Sequence, residues 1–188
     1  MCIRDSLFGG GKDELKLMNP ISSDLDEMRP SIIPNLISSA LKNSNMGNSD
    51  IAIFEVGPQY ADASAEGQQV VAAGIRTGQT AARHWSNVSR SVDVFDVKGD
   101  VVALLEVLGV PVANLQTTVD APNWYHPGRS GVLRLGPNAL AYFGEIHPTV
   151  LRAMSVDYPI MAFEVFLNNL HSPRSKGPNR ALLKLEPL

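Results

Sequence analysis

Apolar positions recur at helical spacing through Ile33, Leu36, Ile37, Ala40 and Leu41, with Pro34 suited to a first helical turn and Gly47 to a C-terminal stop. The spacing predicts an amphipathic helix with one apolar face. Residues 51–56 (IAIFEV) form a compact β-branched and aromatic run that predicts a strand buried on at least one face, closed by Gly57-Pro58 as a turn. A small, polar stretch over 61–69 predicts a hairpin loop, and 70–77 the return strand, paired antiparallel with the first. Residues 78–92 carry little periodicity and predict a surface loop held by one large apolar anchor, Trp85. Val97, Val101, Leu104 and Leu108 restore helical spacing, with Asp96 as N-cap and Gly109 as terminator. Residues 115–119 and 131–135 predict strands around a loop at 123–130. Gly136-Pro137-Asn138 then turns the chain into a strand over 140–146. His147-Pro148 opens a short helix through Val150, Leu151 and Met154, and 161–167 predicts the last strand.

Short helices alternating with antiparallel strands predict an α+β domain, a mostly antiparallel sheet flanked by helices. Ahead of the first helix, LFGGGK (7–12) has glycines but neither a preceding strand nor a phosphate loop's Gly-Lys-Ser/Thr spacing, so it predicts a flexible turn. Residues 15–18 suggest a short strand, and Asn19-Pro20 with Ser22, Ser23 and Asp24 a polar turn towards Arg29-Pro30. MCIRDS (1–6) leads into no pattern and is read as a non-native leader, leaving 7–170 as the domain. Residues 171–188 begin with the Ser-, Pro- and Gly-rich HSPRSKGPNR and are read as a linker.

With 188 residues, 44% of them hydrophobic, the chain can build one sizeable core. A net charge of -3 argues against this piece being the main grip on a nucleic acid, and 6% aromatic residues against a base-stacking RNA binder. Cys2 is the only cysteine, which excludes an intrachain disulfide and a cysteine-based zinc site. No apolar run approaches the ~20 residues of a membrane helix. These features predict a soluble, cytoplasmic protein without a membrane partner.

NPISSDLDEMRPSIIPNLI followed by IAIFEVG resembles the catalytic-like region of the bacterial phenylalanyl-tRNA synthetase beta subunit, a class II aminoacyl-tRNA synthetase. The resemblance resumes in the same order at DVFDVKGDVVALLEVLGV, YHPGRSGVLRLG, AYFGEIHPTVLRAM and MAFEVFLNNL. It implies a class II synthetase-like fold in a partnership of two alpha and two beta subunits. That assembly joins phenylalanine to tRNA with ATP and magnesium. It also implies where ATP contacts should be, and this sequence departs from them. No Arg is in reach where the chain runs on from the 51–56 strand through Gly57 and Tyr60 into Ala61, Asp62 and Ala63, and in the third class II motif Glu164 and Phe166 stand where the catalytic subunit has glycines, and Asn169 where it has Arg. A carboxylate would repel a triphosphate, and a Phe ring would fill space that backbone must approach. The resemblance therefore implies a noncatalytic domain, with no catalytic, cofactor or metal residues of its own, that supports the alpha subunit.

A rival site can be assembled from Tyr125, His126, Arg129, Glu145 and His147, which offer base, acid and anion-binding types. His147 falls at a helix N-cap and His126-Pro127-Gly128 reads as a turn, so structural histidines are preferred. Arg29 is left between an anion or subunit contact and a surface ion pair with Asp24, Asp26 or Glu27. Met28 and Met46 are read as core or edge packing. The alternative function is a free-standing small enzyme, or an ATP- or amino-acid-binding domain, on the same fold. The chain starts after the resemblance's first class II motif, which predicts an unpaired sheet edge, an exposed apolar face and marginal stability in isolation.

Overall fold

A computed structural model describes residues 6–22, 26–82, 84–86 and 88–170. Among these, six strands form one antiparallel sheet: β1 (Ile51–Tyr60), β2 (Gln68–Thr77), β3 (Gln116–Thr118), β4 (Tyr125–Leu135), β5 (Asn138–Ile146) and β6 (Met161–Phe166), in spatial order β1-β2-β6-β5-β4-β3. Three α-helices accompany it: α1 (Ile33–Asn45), α2 (Val94–Val107) and α3 (Pro148–Ala153). The α+β architecture expected from the alternation of periods is the one observed. The expectations for residues 1–5, for Ser23 and Asp24, and for the linker at 171–188 lie outside the described residues.

Helix α1 starts with Pro34 in its first turn and ends before Gly47, whose φ of 94° is the left-handed conformation that favours glycine. Its stripe of Ile33, Leu36, Ile37 and Ala40 is buried. Helix α2 is capped by Asp93 rather than Asp96: the Asp93 carboxylate accepts from the N–H groups of Phe95 and Asp96, and Asp96 reaches back to the Asp93 N–H. Two acidic residues three apart compose a reciprocal capping box, so the visible candidate was its second member. The buried face of α2 is Val97, Val101 and Leu105, with Leu108 turned outward.

Three differences concern Pro, Gly and Trp. Gly57-Pro58 does not end β1, which continues to Tyr60. Because β1 lies at the sheet edge, a proline without an N–H breaks no ladder on the open side. His126-Pro127-Gly128 lies inside β4, where the register passes from Tyr125↔Ile146 to Ser130↔Gly144 and so places extra residues in an irregular bulge. Trp85 is 93% exposed, its ring tilted against that of His84, whereas Val92 at the end of the same segment is buried. Met46 is likewise exposed, and Met28 is half-buried.

The LFGGGK turn is tethered rather than free, because Phe8 is buried and its ring lies 5.8 Å from that of Trp124. Where a strand was expected at 15–18, a 3-10 turn (Asp13–Leu15) is followed by a single bridge, Lys16 to Glu27.

The sheet separates two cores. One face carries α1, α3, Phe8 and Tyr125 over Val71, Ala73, Ile75, Ile146 and Ala162. The other carries α2 over Ala72, Leu133, Ala141, Phe143, Met161 and Val165. Neither core covers the outer side of β1, where Phe54 is 76% exposed beside half-open Val56 and Val70.

Candidate functional site

Strand β6 alternates across the sheet, which sends Ala162, Glu164 and Phe166 towards the α1 side. Ala73 of β2 and Tyr142 of β5 are the register neighbours of Glu164. The small Ala73 leaves room for the Glu164 side chain, which is 2% exposed. Its Oε1 accepts from the Ser31 hydroxyl at 2.8 Å and from the Gln59 amide at 2.9 Å, and its Oε2 from the Tyr125 hydroxyl at 3.2 Å. Burial pushes the Glu164 carboxyl above the usual carboxylate range, and the donors Gln59, Ser31 and Tyr125, with the Trp124 indole, oppose that rise. Burial, then the adjacent Glu164, pushes the Tyr125 hydroxyl far up, and the same causes raise Tyr142. No Lys, Arg or His among the described residues is paired with Glu164.

Above this carboxylate lies a cavity of about 160 Å³, lined by Glu164, Gln59, Gln69, Trp124, Tyr142 and Phe166 and bounded by Pro30, Ala61 and Gly67. Tyr142 and Phe166 meet edge to face at 4.8 Å. The Trp124 indole N–H is buried without a hydrogen-bond partner. It is near enough to Glu164 to stabilise its charge, but not in hydrogen-bonding geometry. Asn169 lies outside the cavity and donates to the Ala139 carbonyl at 2.8 Å.

The rival constellation is divided by the fold. Tyr125 is 1% exposed and serves Glu164, whereas the rings of His126 and His147 stack at 6.0 Å on the surface. His147 is the N-cap of α3, its Nδ1 accepting from the Thr149 N–H at 3.2 Å, and His126 Nδ1 accepts from the Gly128 N–H at 3.1 Å within the bulge. Arg129 pairs with the mostly buried Glu145 at 3.0 Å. Among the described residues no cluster of His, Cys, Asp or Glu is arranged to hold a metal ion. Arg29 corrects its expected partners: it pairs with Glu55 on β1 at 2.6 Å and donates to the Pro58 carbonyl at 2.9 Å. This pair fixes the approach to α1 against the edge strand.

Sequence reasoning had marked Glu164 and Phe166 as departures from a motif, but not the partners Ser31 and Gln59 or the indole of Trp124. Their separation from Glu164, up to 133 residues, leaves no local signal. No described helix is long and apolar enough to cross a membrane.

The family model described as phenylalanyl tRNA synthetase beta chain CLM domain matches residues 5–167. The chain is 50% identical over 181 residues to the phenylalanine–tRNA ligase beta subunit of Rhodospirillum rubrum, a match spanning 96% of this chain and 23% of that protein. It is 46% identical over 186 residues to the same subunit of Paramagnetospirillum magneticum, spanning 97% and 23%. The chain thus covers about a quarter of the length of these relatives. Among solved structures it resembles a pyrrolysyl-tRNA synthetase from Desulfitobacterium hafniense, with a TM-score of 0.55 and 16% identity over 74% of this chain and 47% of that one. At that identity the likeness concerns the fold, a class II synthetase fold.

Proposed function

The chain belongs to the phenylalanyl-tRNA synthetase beta chain family, and from that premise we propose that it is a noncatalytic, structural domain of a phenylalanine–tRNA ligase. In this role it supports an alpha subunit that performs the ATP-dependent attachment of phenylalanine to tRNA. ATP and magnesium are handled by that partner, in the cytoplasm, and tRNA is engaged through the whole enzyme. The observation that carries the proposal is Glu164. A carboxylate buried at the floor of a concavity beside β6, among Phe166, Tyr142 and Trp124, offers a triphosphate repulsion and no cationic partner among the described residues.

Catalysis of acyl-adenylate formation needs positive charge aimed at phosphate oxygens and donors aimed at the charge that develops. The residues here do other things. Ser31, Gln59 and Tyr125 spend their donors on Glu164, tying the segment before α1, the end of β1 and the start of β4 to β6. That network holds the sheet and its helices in one arrangement. Arg29 and Glu55 add a second tie at the β1 edge. Support for a partner then rests on the exposed side of β1, where Phe54, Val56 and Val70 form an apolar strip beside an open strand.

Titration of ATP and magnesium into the full chain, alongside titration of a phenylalanine–tRNA ligase alpha subunit, tests this function. Saturable binding of the alpha subunit with no saturable ATP binding is expected. Saturable ATP binding without affinity for the alpha subunit would overturn it in favour of a free-standing nucleotide-binding domain.

A further inference from the structure

The Glu164 carboxylate has acceptor capacity left over. An ionised carboxylate offers about four lone-pair sites; Oε1 takes two donors, while Oε2 takes one, at the long distance of 3.2 Å. The remaining site belongs to a side chain that lines a cavity of about 160 Å³. Three aromatic side chains, Trp124, Tyr142 and Phe166, share that lining, and such π faces attract a cation. The buried Trp124 N–H makes no aligned hydrogen bond, although it lies close enough to Glu164 to stabilise its charge. The cavity thus presents a buried carboxylate with no cationic partner, aromatic walls and an indole N–H without an aligned acceptor, a set that lacks a cation bearing a nearby acceptor.

The charges around it leave that vacancy to an outside group. Arg29, beside Pro30, is engaged by Glu55 and the Pro58 carbonyl. Lys12 reaches the rim but donates to the Ala61 carbonyl. Tyr125 and Tyr142, the titratable groups facing Glu164 from β4 and β5, are held neutral by burial and by its charge. Uncharged Gln59, Gln69, Pro30, Ala61 and Gly67 complete the wall.

We propose that this cavity is a binding site for a small primary ammonium compound carrying a hydroxyl or carbonyl acceptor. Its ammonium donates to Glu164 Oε2 among the three rings, and its oxygen accepts from the Trp124 N–H. A cavity near 150 Å³ accommodates a molecule about the size of benzene, which sets the ligand at about six non-hydrogen atoms. Anionic compounds are excluded by the carboxylate. The site is independent of the ligase role, since a structural domain and a free-standing one would present the same cavity.

The test uses 4-aminobutan-1-ol and its neutral isostere butane-1,4-diol, titrated into the full chain at pH 8 and followed by ¹⁵N NMR at the Trp124 indole and by ligand-observed NMR. The aminoalcohol is expected to saturate at low millimolar concentration and shift the Trp124 indole resonance, with the diol at least about tenfold weaker. Glu164→Gln should weaken the aminoalcohol about tenfold or more and abolish discrimination against the diol. Tyr142→Ala, at a half-buried position, keeps Glu164 and should weaken the aminoalcohol severalfold, so the proposal stays testable if the Glu164 variant does not fold. Equal binding of the two compounds, no saturation by the aminoalcohol, or undiminished binding by both variants would overturn it.

Discussion

Replacing Tyr125 with Phe removes one hydroxyl and nothing else from the buried network around Glu164. The bond it deletes runs from the Tyr125 hydroxyl to Glu164 Oε2 at 3.2 Å, between side chains 1% and 2% exposed. Hydrogen bonds to a charged group contribute about 1.5–3 kcal/mol, and the long separation places this one at about 1.5–2 kcal/mol while Glu164 is ionised. When Glu164 is protonated the bond is neutral to neutral, and the loss falls to about 0.5–1.5 kcal/mol. The penalty of the substitution should therefore grow as pH rises through the raised pKa of Glu164. At 2–4 °C per kcal/mol for a domain of this size, Tm should drop by about 3–8 °C at pH 8 and by less at pH 4. Urea denaturation of Tyr125→Phe, Glu164→Gln and the double variant, each at both pH values, isolates the pairwise coupling. A Tyr125→Phe variant as stable as the parent at pH 8, or with no coupling to Glu164, would show that the hydroxyl does not serve the carboxylate.

Other expectations follow from the same structure. Leu36→Asp places a charge against the buried Ile32, Ile37 and Ala40 and should abolish the cooperative melt, whereas Leu41→Asp at a half-buried position should lower Tm without abolishing it; circular dichroism distinguishes these outcomes. Asp93→Ala removes the α2 cap and should destabilise by about 0.5–2 kcal/mol in urea, and an unchanged midpoint would mean that Asp96 caps alone. Because burial raises the Glu164 pKa, the folded chain holds that proton more tightly than the unfolded one; this contribution is full at low pH and is lost as pH rises from the ordinary carboxylate range through the raised value. Glu164→Gln should accordingly gain stability relative to the parent between pH 4 and pH 8, and a difference that is the same at both ends contradicts the shift.

Local chemistry made much of this fold legible. The Ile33–Ala40 stripe, Pro34 and Gly47 specify α1 without help from the rest of the chain, and His147-Pro148 specifies the start of α3. What escaped was set by position in the sheet. Pro58 reads as a stop unless β1 is known to be an edge, and His126-Pro127-Gly128 reads as a turn unless β4 is known to bulge against β5. Trp85 reads as an anchor by size, but it is 93% exposed, as is Val88 three residues on at 96%. Glu164 stood out only as a departure from the third motif of the resembled family. Its donors Ser31, Gln59 and Tyr125 come from three separate elements, so the network exists only once the strands are paired.

The central claim, that this domain supplies structure rather than chemistry to the ligase, is tested most directly at the surface pair His126 and His147. The measurement is kcat/KM for phenylalanylation of tRNA by a ligase reconstituted from an alpha subunit and a beta subunit carrying His126→Ala and His147→Ala. The account predicts activity within a few-fold of the parent. With assembly and folding intact, a loss of about 10²- to 10⁴-fold, the range a catalytic acid or base supplies, would contradict it.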